Sequence, residues 1–278
     1  MVVKFENREW LAHTMGRVQT QFSVLITVLM LSGFSGCISD EIIFGEGDNR
    51  GIPGGLALAC LDSSKYTEIV IEIDYEAGYH PKSSSTDLLK QRLEQVCDKP
   101  DGVTITFTET VFENQGSWTD EEVRYHAWEN KENQPQTSST LHWQVLFPSG
   151  KYSDDSVLGV AVDASTVAIF GDSVEEAKGP FFGRPSAEEV ENSVLVHEIG
   201  HLLGLVNIVY QSMVEHEDPD HPHHSNNDES VMYWAIDSTS IGNIISGDLP
   251  NEFDQDDLKD LTDMKNGNVD VYDQLWTP

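Results

Sequence analysis

Val196-His197-Glu198-Ile199-Gly200-His201-Leu202-Leu203-Gly204 is the stretch on which the reading of this chain turns. On an α-helix, residues four apart lie about 40° apart around the axis. His197 and His201 therefore face one way and can share a single ion. Glu198 projects beside them. The other faces carry Val194, Leu195, Ile199, Leu202 and Leu203, so the helix is expected to be buried. Two imidazoles and a carboxylate are costly there unless they meet a metal or each other. Ser186, with Glu189 three residues on, forms a capping box that opens the helix. Gly204 can end it in a left-handed conformation.

A zinc site that keeps an open position takes three protein ligands, so a third donor must come from downstream. The run His201-Leu202-Leu203-Gly204 resembles the metzincins, in which a glycine turns the chain and a third histidine follows three residues later. Here that position is Asn207, and an amide is a poor ligand beside His216, His221, His223 and His224. The segment His224-Ser225-Asn226-Asn227-Asp228-Glu229-Ser230-Val231-Met232 resembles the archaemetzincin continuation. In that family the third histidine is followed by cysteine, four residues, cysteine, one residue and a methionine. Ser225 and Ser230 stand where the family has cysteines, and His224 lies 17 residues beyond Asn207.

The resemblance implies an α+β zincin fold of the metzincin type: a mixed twisted sheet over a central active-site helix, then a methionine turn and a C-terminal helix. It implies Zn2+ held by His197, His201 and His224, with His216 as the second candidate for third ligand. Met232 would lie beneath the metal. Glu198 would act as general base in an endopeptidase reaction on a peptide or protein substrate, held along an edge strand somewhere in 157–169. Tyr233 and Trp234 are expected to pack rather than react; in some metzincins the residue two after the methionine is a tyrosine, and here it is Trp234. The competing expectation is a zinc-binding surface lipoprotein without catalysis, or an inactive zincin. Such a binder needs no glutamate beside His197.

Around this core, 278 residues and 38% hydrophobic content suffice for one large domain. Asp and Glu number 48 against 16 Lys and Arg, a formal net charge of −32. The acids are spread over the chain and aromatics make up 9%, which argues for a folded protein over an acidic disordered one. The surface resembles those of halophilic archaeal proteins, where high salt screens self-repulsion, and it argues against nucleic acid as a partner. Glu217, Asp218 and Asp220 read as part of a solvated acidic loop, with oxygen ligation of calcium as the alternative.

The N-terminus reads as an export signal. Phe22–Phe34 is an apolar stretch of 13 residues after Arg17, closed by Ser35-Gly36-Cys37, too short to span a bilayer and laid out as a signal peptide. Its end resembles a lipobox, with Cys37 lipidated and Phe34 departing from the usual aliphatic residue. The expected organisation is a signal peptide at 1–36 with a natural start at Met15, a lipid-anchored linker at 37–55, and a metzincin-like catalytic domain at 56–278. The product would be exported and anchored to the outer face of the cytoplasmic membrane. Cys60 and Cys97 either form a disulfide in that oxidising exterior or stand as separate thiols.

Periodicity predicts strands at 66–75, 103–111, 141–147 and 157–169. It predicts helices at 86–97, about 121–128, 186–203 and 253–264, the first strand–helix–strand unit giving neighbouring parallel strands.

Overall fold

Ile69, Ile71 and Ile73 alternate with Val70, Glu72 and Asp74, so one face of the first long strand is wholly apolar and fully buried. The computed structural model describes residues 50–114, 116–178, 185–239, 241 and 248–278. The stretch read as a signal peptide, Cys37 and the stretch read as linker as far as 49 lie outside the described residues. Among the described residues no helix is long and apolar enough to cross a membrane.

A short helix α1 (Ala57–Leu61) leads to β1 (Glu68–Tyr75), α2 (Ser83–Val96) and β2 (Gly102–Glu109). β1 and β2 run parallel, in register from Glu68↔Gly102 to Tyr75↔Glu109. Helix α2 begins three residues before the expected Thr86. The cause is distant in sequence: Lys82 N–H and the Ser85 hydroxyl both donate to Glu191 Oε1, at 2.6 and 2.7 Å. A carboxylate from another helix thus satisfies one amide and one hydroxyl at the start of α2.

Next come β3 (Ser117–Trp118), α3 (Asp120–Asn130), β4 (Gln136–Thr137), β5 (Thr140–Phe147), β6 (Lys151–Tyr152), β7 (Gly159–Ala161), β8 (Thr166–Ile169) and α4 (Gly171–Ala177). The chain continues through α5 (Ala187–Leu202), β9 (Glu217–Asp218), β10 (His221–Ser225), a 3-10 turn (Trp234–Asp237) and α6 (Gln255–Lys265). Strand order in the main sheet is β2-β1-β5-β8-β7, with β4 beside β5. The sheet is mixed, as expected, and mostly parallel: among the described residues only β4 on β5 and β7 on β8 are antiparallel.

Helices cover both faces. Ile69, Ile71, Ile73, Trp143, Val145 and Val167 pack with Leu89 and Leu93 of α2 and with Val190, Val194 and Leu195 of α5 in the larger core. On the opposite face, Leu146, Ala168 and Phe170 pack with Val123 and Ala127 of α3 and with Trp118. That face also carries a buried polar row, Glu72, Asp74, His142 and Gln144, paired among themselves and with Asn133 and Thr110.

The expected single strand at 157–169 is instead a hairpin. Asp163 Oδ1 accepts the Ser165 N–H at 2.9 Å, a side-chain turn of the kind Asp favours. It reverses the chain between β7 and β8, leaving β8 inside the sheet and β7 at its edge.

At the end of the stretch read as linker, Gly54 and Gly55 are buried. A Cβ on Gly54 would stand 2.7 Å from Gly204 Cα, so glycines on both sides let the chain entry lie against the end of α5. Cys60 and Cys97 are bridged, closing a loop of 37 residues that contains β1 and α2. Reducing this bridge is expected to lower stability by about 2–4 kcal/mol, read from denaturant unfolding with and without reductant.

Candidate metal centre

Helix α5 forms as its sequence implies. Ser186 and Glu189 make the reciprocal capping box, and Gly204 follows the C-cap at φ +77°. Gly204 N–H donates to His201 O and Leu205 N–H to Gly200 O, at 2.9 and 3.1 Å, closing the helix with a left-handed turn. His197 is fully buried and Glu198 is 1% exposed.

The structure brings His197, His201 and His224 together, one ring nitrogen of each lying within 4.8 Å of the others. His197 Nε2 and His201 Nε2 are 3.2 Å apart, close to the roughly 3.3 Å that two ligand nitrogens at ~2.0–2.1 Å subtend on a tetrahedral zinc. His197 Nδ1 donates to the Val231 carbonyl at 2.7 Å, and His224 Nδ1 to the Pro222 carbonyl at 3.0 Å. Each bond selects the tautomer that leaves the Nε2 lone pair free.

Electrostatics points the same way. Burial, then the neighbouring His224, holds His197 down to about 3. Burial, then His197 and His224, pushes His201 well below its ordinary value, and burial lowers His224. All three are neutral donors at physiological pH, the form a metal requires. Glu198 Oε1 is buried with no hydrogen-bond partner among the described residues. Burial and then Asp237 raise its pKa well above the usual carboxylate range. Three neutral imidazoles and a buried carboxylate with one unpartnered oxygen beside them fit zinc with one open position.

Met232 packs beneath this helix. A Cβ on Gly200 would overlap Met232 Sδ, so the glycine inside the motif is what lets the thioether approach. Met232 is tied to the His224 strand: Ser225 N–H donates to Met232 O at 2.7 Å, and Met232 N–H donates to Ser230 Oγ at 2.9 Å. Ser225 and Ser230, the positions of the two cysteines in the resembling family, are fully buried and hydrogen-bonded, Ser225 Oγ to Asn227 N–H and Ser230 to Asp257.

His216 lies elsewhere. It is 2% exposed, and its Nε2 donates to Asp260 Oδ2 of α6 at 2.8 Å. Asn207 takes φ +65°, which asparagine tolerates, and its side chain staples the loop by bonding Glu217 Oε2 and Ser212 N–H, both at 2.7 Å. Trp234 stacks on His221, centroids 4.1 Å apart, a packing role for that aromatic. Asp218 Oδ1 accepts the amides of Asp220 and His221 in the β9–β10 turn.

Two residues near the centre escape a reading of the motif. Gly159 of β7 lies against the general-base candidate: a Cβ there would stand 2.7 Å from Glu198 Cγ. Its only sequence signal is a glycine inside an apolar run, the mark of a close approach. Asp237 Oδ1 accepts the amides of Leu158 and Gly159, at 3.2 and 3.1 Å. Burial, opposed by those amides, pushes Asp237 up to about 7.

The sequence matches no known family profile and no curated protein. Among solved structures, archaemetzincin from Methanopyrus kandleri is similar to this chain with a TM-score of 0.47 and 13% identity, over 70% of this chain and 94% of that one.

Proposed function

We propose that this chain is a zinc peptidase of the zincin type, hydrolysing peptide bonds at the centre formed by His197, His201 and His224. The observation that carries the proposal is Glu198, a buried carboxylate with an unpartnered oxygen, on the same helical turn as two of three convergent imidazoles. A site meant only to hold a metal has no use for it.

The three histidines would hold zinc through Nε2, and Met232 on Gly200 would form the floor of the site. When bound, zinc supplies Lewis acidity at its open position, polarising a peptide carbonyl and acidifying water. Glu198 takes a proton from the attacking water as the C–O bond forms. It returns that proton to the leaving amine nitrogen as the C–N bond breaks. β7 offers a sheet edge beside Glu198, along which an extended peptide can add as a further strand.

Protein prepared in high salt is expected to bind one zinc per chain and to cleave unstructured peptides only when loaded. His224→Ala should weaken zinc binding by more than the about 10–100-fold typical of residues that merely orient ligands, while His216→Ala should leave it intact. Metal titration checks both. Zinc bound without cleavage of any peptide would favour the non-catalytic zinc-binding reading.

We also propose export and lipid anchoring through Cys37, on the apolar stretch 22–34 and the Ser35-Gly36-Cys37 ending. A mature protein found unlipidated by mass spectrometry would end that proposal.

A further inference from the structure

The outer edge of β7 is only partly open. Among the described residues β7 ends the main sheet, and in an antiparallel pair successive residues turn their N–H and C=O alternately toward and away from the partner. Phe170 N–H donates to Leu158 O at 2.9 Å and Val162 N–H to Thr166 O at 3.0 Å. The Leu158 carbonyl and residues 160 and 162 therefore address β8. The chain bends at Leu158, whose N–H turns outward, and Gly159 and Ala161 address the outer edge.

Alongside Ser156–Leu158 that outer edge is occupied by the chain itself. Val157 and Ser238 form an antiparallel bridge, and Thr239 N–H donates to Ser156 O at 2.9 Å. Asp237 closes the line, its carboxylate taking the Leu158 and Gly159 amides. Among the described residues, what stays free for a ligand is the Gly159 carbonyl with both backbone groups of Ala161. This open stretch begins at Gly159, directly against Glu198.

We propose that Asp237–Thr239 is a built-in stop on the substrate edge, and that Asp237 sets the register of a bound peptide. The inference rests on the peptidase reading and sharpens it. An extended substrate pairs with Gly159 and Ala161 on one side of Glu198. On the other side the strand line is filled, so only a short tail fits beyond the cleaved bond. The favoured substrates are flexible peptides cut near one end, and internal bonds of a long extended segment are disfavoured. This narrows the endopeptidase expectation. Asp237 is a positioning residue: it acts through the backbone of β7.

A ladder of end-blocked peptides, sharing one cleavable bond and lengthened on either side, tests this with zinc-loaded wild type. Lengthening on one side is expected to leave KM unchanged or lower it. Lengthening on the other should raise KM about tenfold, the scale of one or two lost backbone hydrogen bonds, with kcat little affected. Asp237→Ala frees the Gly159 N–H and should spread cleavage to neighbouring bonds. Asp237→Asn, whose carbonyl still accepts both amides, should keep the wild-type pattern.

Amide hydrogen exchange on the metal-free protein reads the same edge without catalysis. Gly159 should be protected in wild type and Asp237→Asn and fast in Asp237→Ala, with Ala161 fast in all three. Equal tolerance of lengthening on both sides overturns the proposal, and so does unaltered Gly159 exchange in Asp237→Ala. If Asp237→Ala does not fold, the wild-type ladder alone decides. If no peptide is cleaved, the peptidase reading fails, while the exchange pattern still decides whether the edge is stopped.

Discussion

Glu198→Gln is expected to abolish peptide cleavage to within background, a loss of about 10²–10⁴-fold in kcat, while zinc is retained in full. The amide keeps the shape of the carboxylate, so the packing of Gly159 on Glu198 Cγ survives. His197 and His224 do not depend on Glu198 for their orientation: His197 is set by the Val231 carbonyl and His224 by that of Pro222. What the amide cannot do is accept a proton at neutral pH and return it to the leaving amine. Metal analysis and steady-state cleavage on the same preparation separate the two effects. Zinc lost together with activity would make Glu198 a determinant of the site's structure. Cleavage persisting within about tenfold of wild type would remove it as general base, and the peptidase reading with it.

How much of this centre could be read from sequence follows from the range of the interactions. His197, Glu198 and His201 are legible because helical periodicity fixes neighbours within one turn. The capping box and the Gly204 ending are local in the same way. His224 is not local: its place beside the other two depends on a loop and a two-stranded hairpin, and only the spacing to Met232 pointed to it. His216 was indistinguishable from a ligand in sequence, since a buried histidine on a loop satisfies itself equally well with a metal or a carboxylate. Asp260, which it pairs with, sits 44 residues away. Asp237 meets its partners across 78 and 79 residues, and no periodicity reports that. The hairpin at 157–169 was hidden for another reason: Asp163-Ala164-Ser165 interrupts an apolar run too briefly to outweigh it, yet one side-chain hydrogen bond turns the chain.

Asp260→Ala is expected to be the most destabilising single change outside the metal centre, costing about 3–5 kcal/mol. Asp260 is 1% exposed and receives three donors: His216 Nε2 at 2.8 Å, Tyr210 OH at 2.7 Å and Ser212 OH at 2.7 Å. Alanine leaves the imidazole and the phenol of Tyr210 buried without that acceptor, and an uncompensated buried charge dominates the cost. The damage should spread to the centre by a short path. Asp257, one turn earlier on α6, holds the Ser230 hydroxyl, and Ser230 Oγ accepts the Met232 amide.

The pH dependence has a definite sign. Burial opposes the charge on His216, but the Asp260 hydrogen bond and the Asp260 and Asp257 charges together outweigh it, and its pKa is raised. A histidine whose folded pKa exceeds its unfolded value of about 6.5 contributes its full stability below that pH and loses it as pH rises through the folded value. The penalty of Asp260→Ala should therefore be largest near pH 6 and shrink toward pH 9. Urea unfolding in high salt at both pH values measures this. A cost below about 1 kcal/mol, the worth of an ordinary hydrogen bond, or one independent of pH would mean that His216 carries no charge beside Asp260. The tie between α6 and the floor of the metal centre would then rest on Asp257 and Ser230 alone.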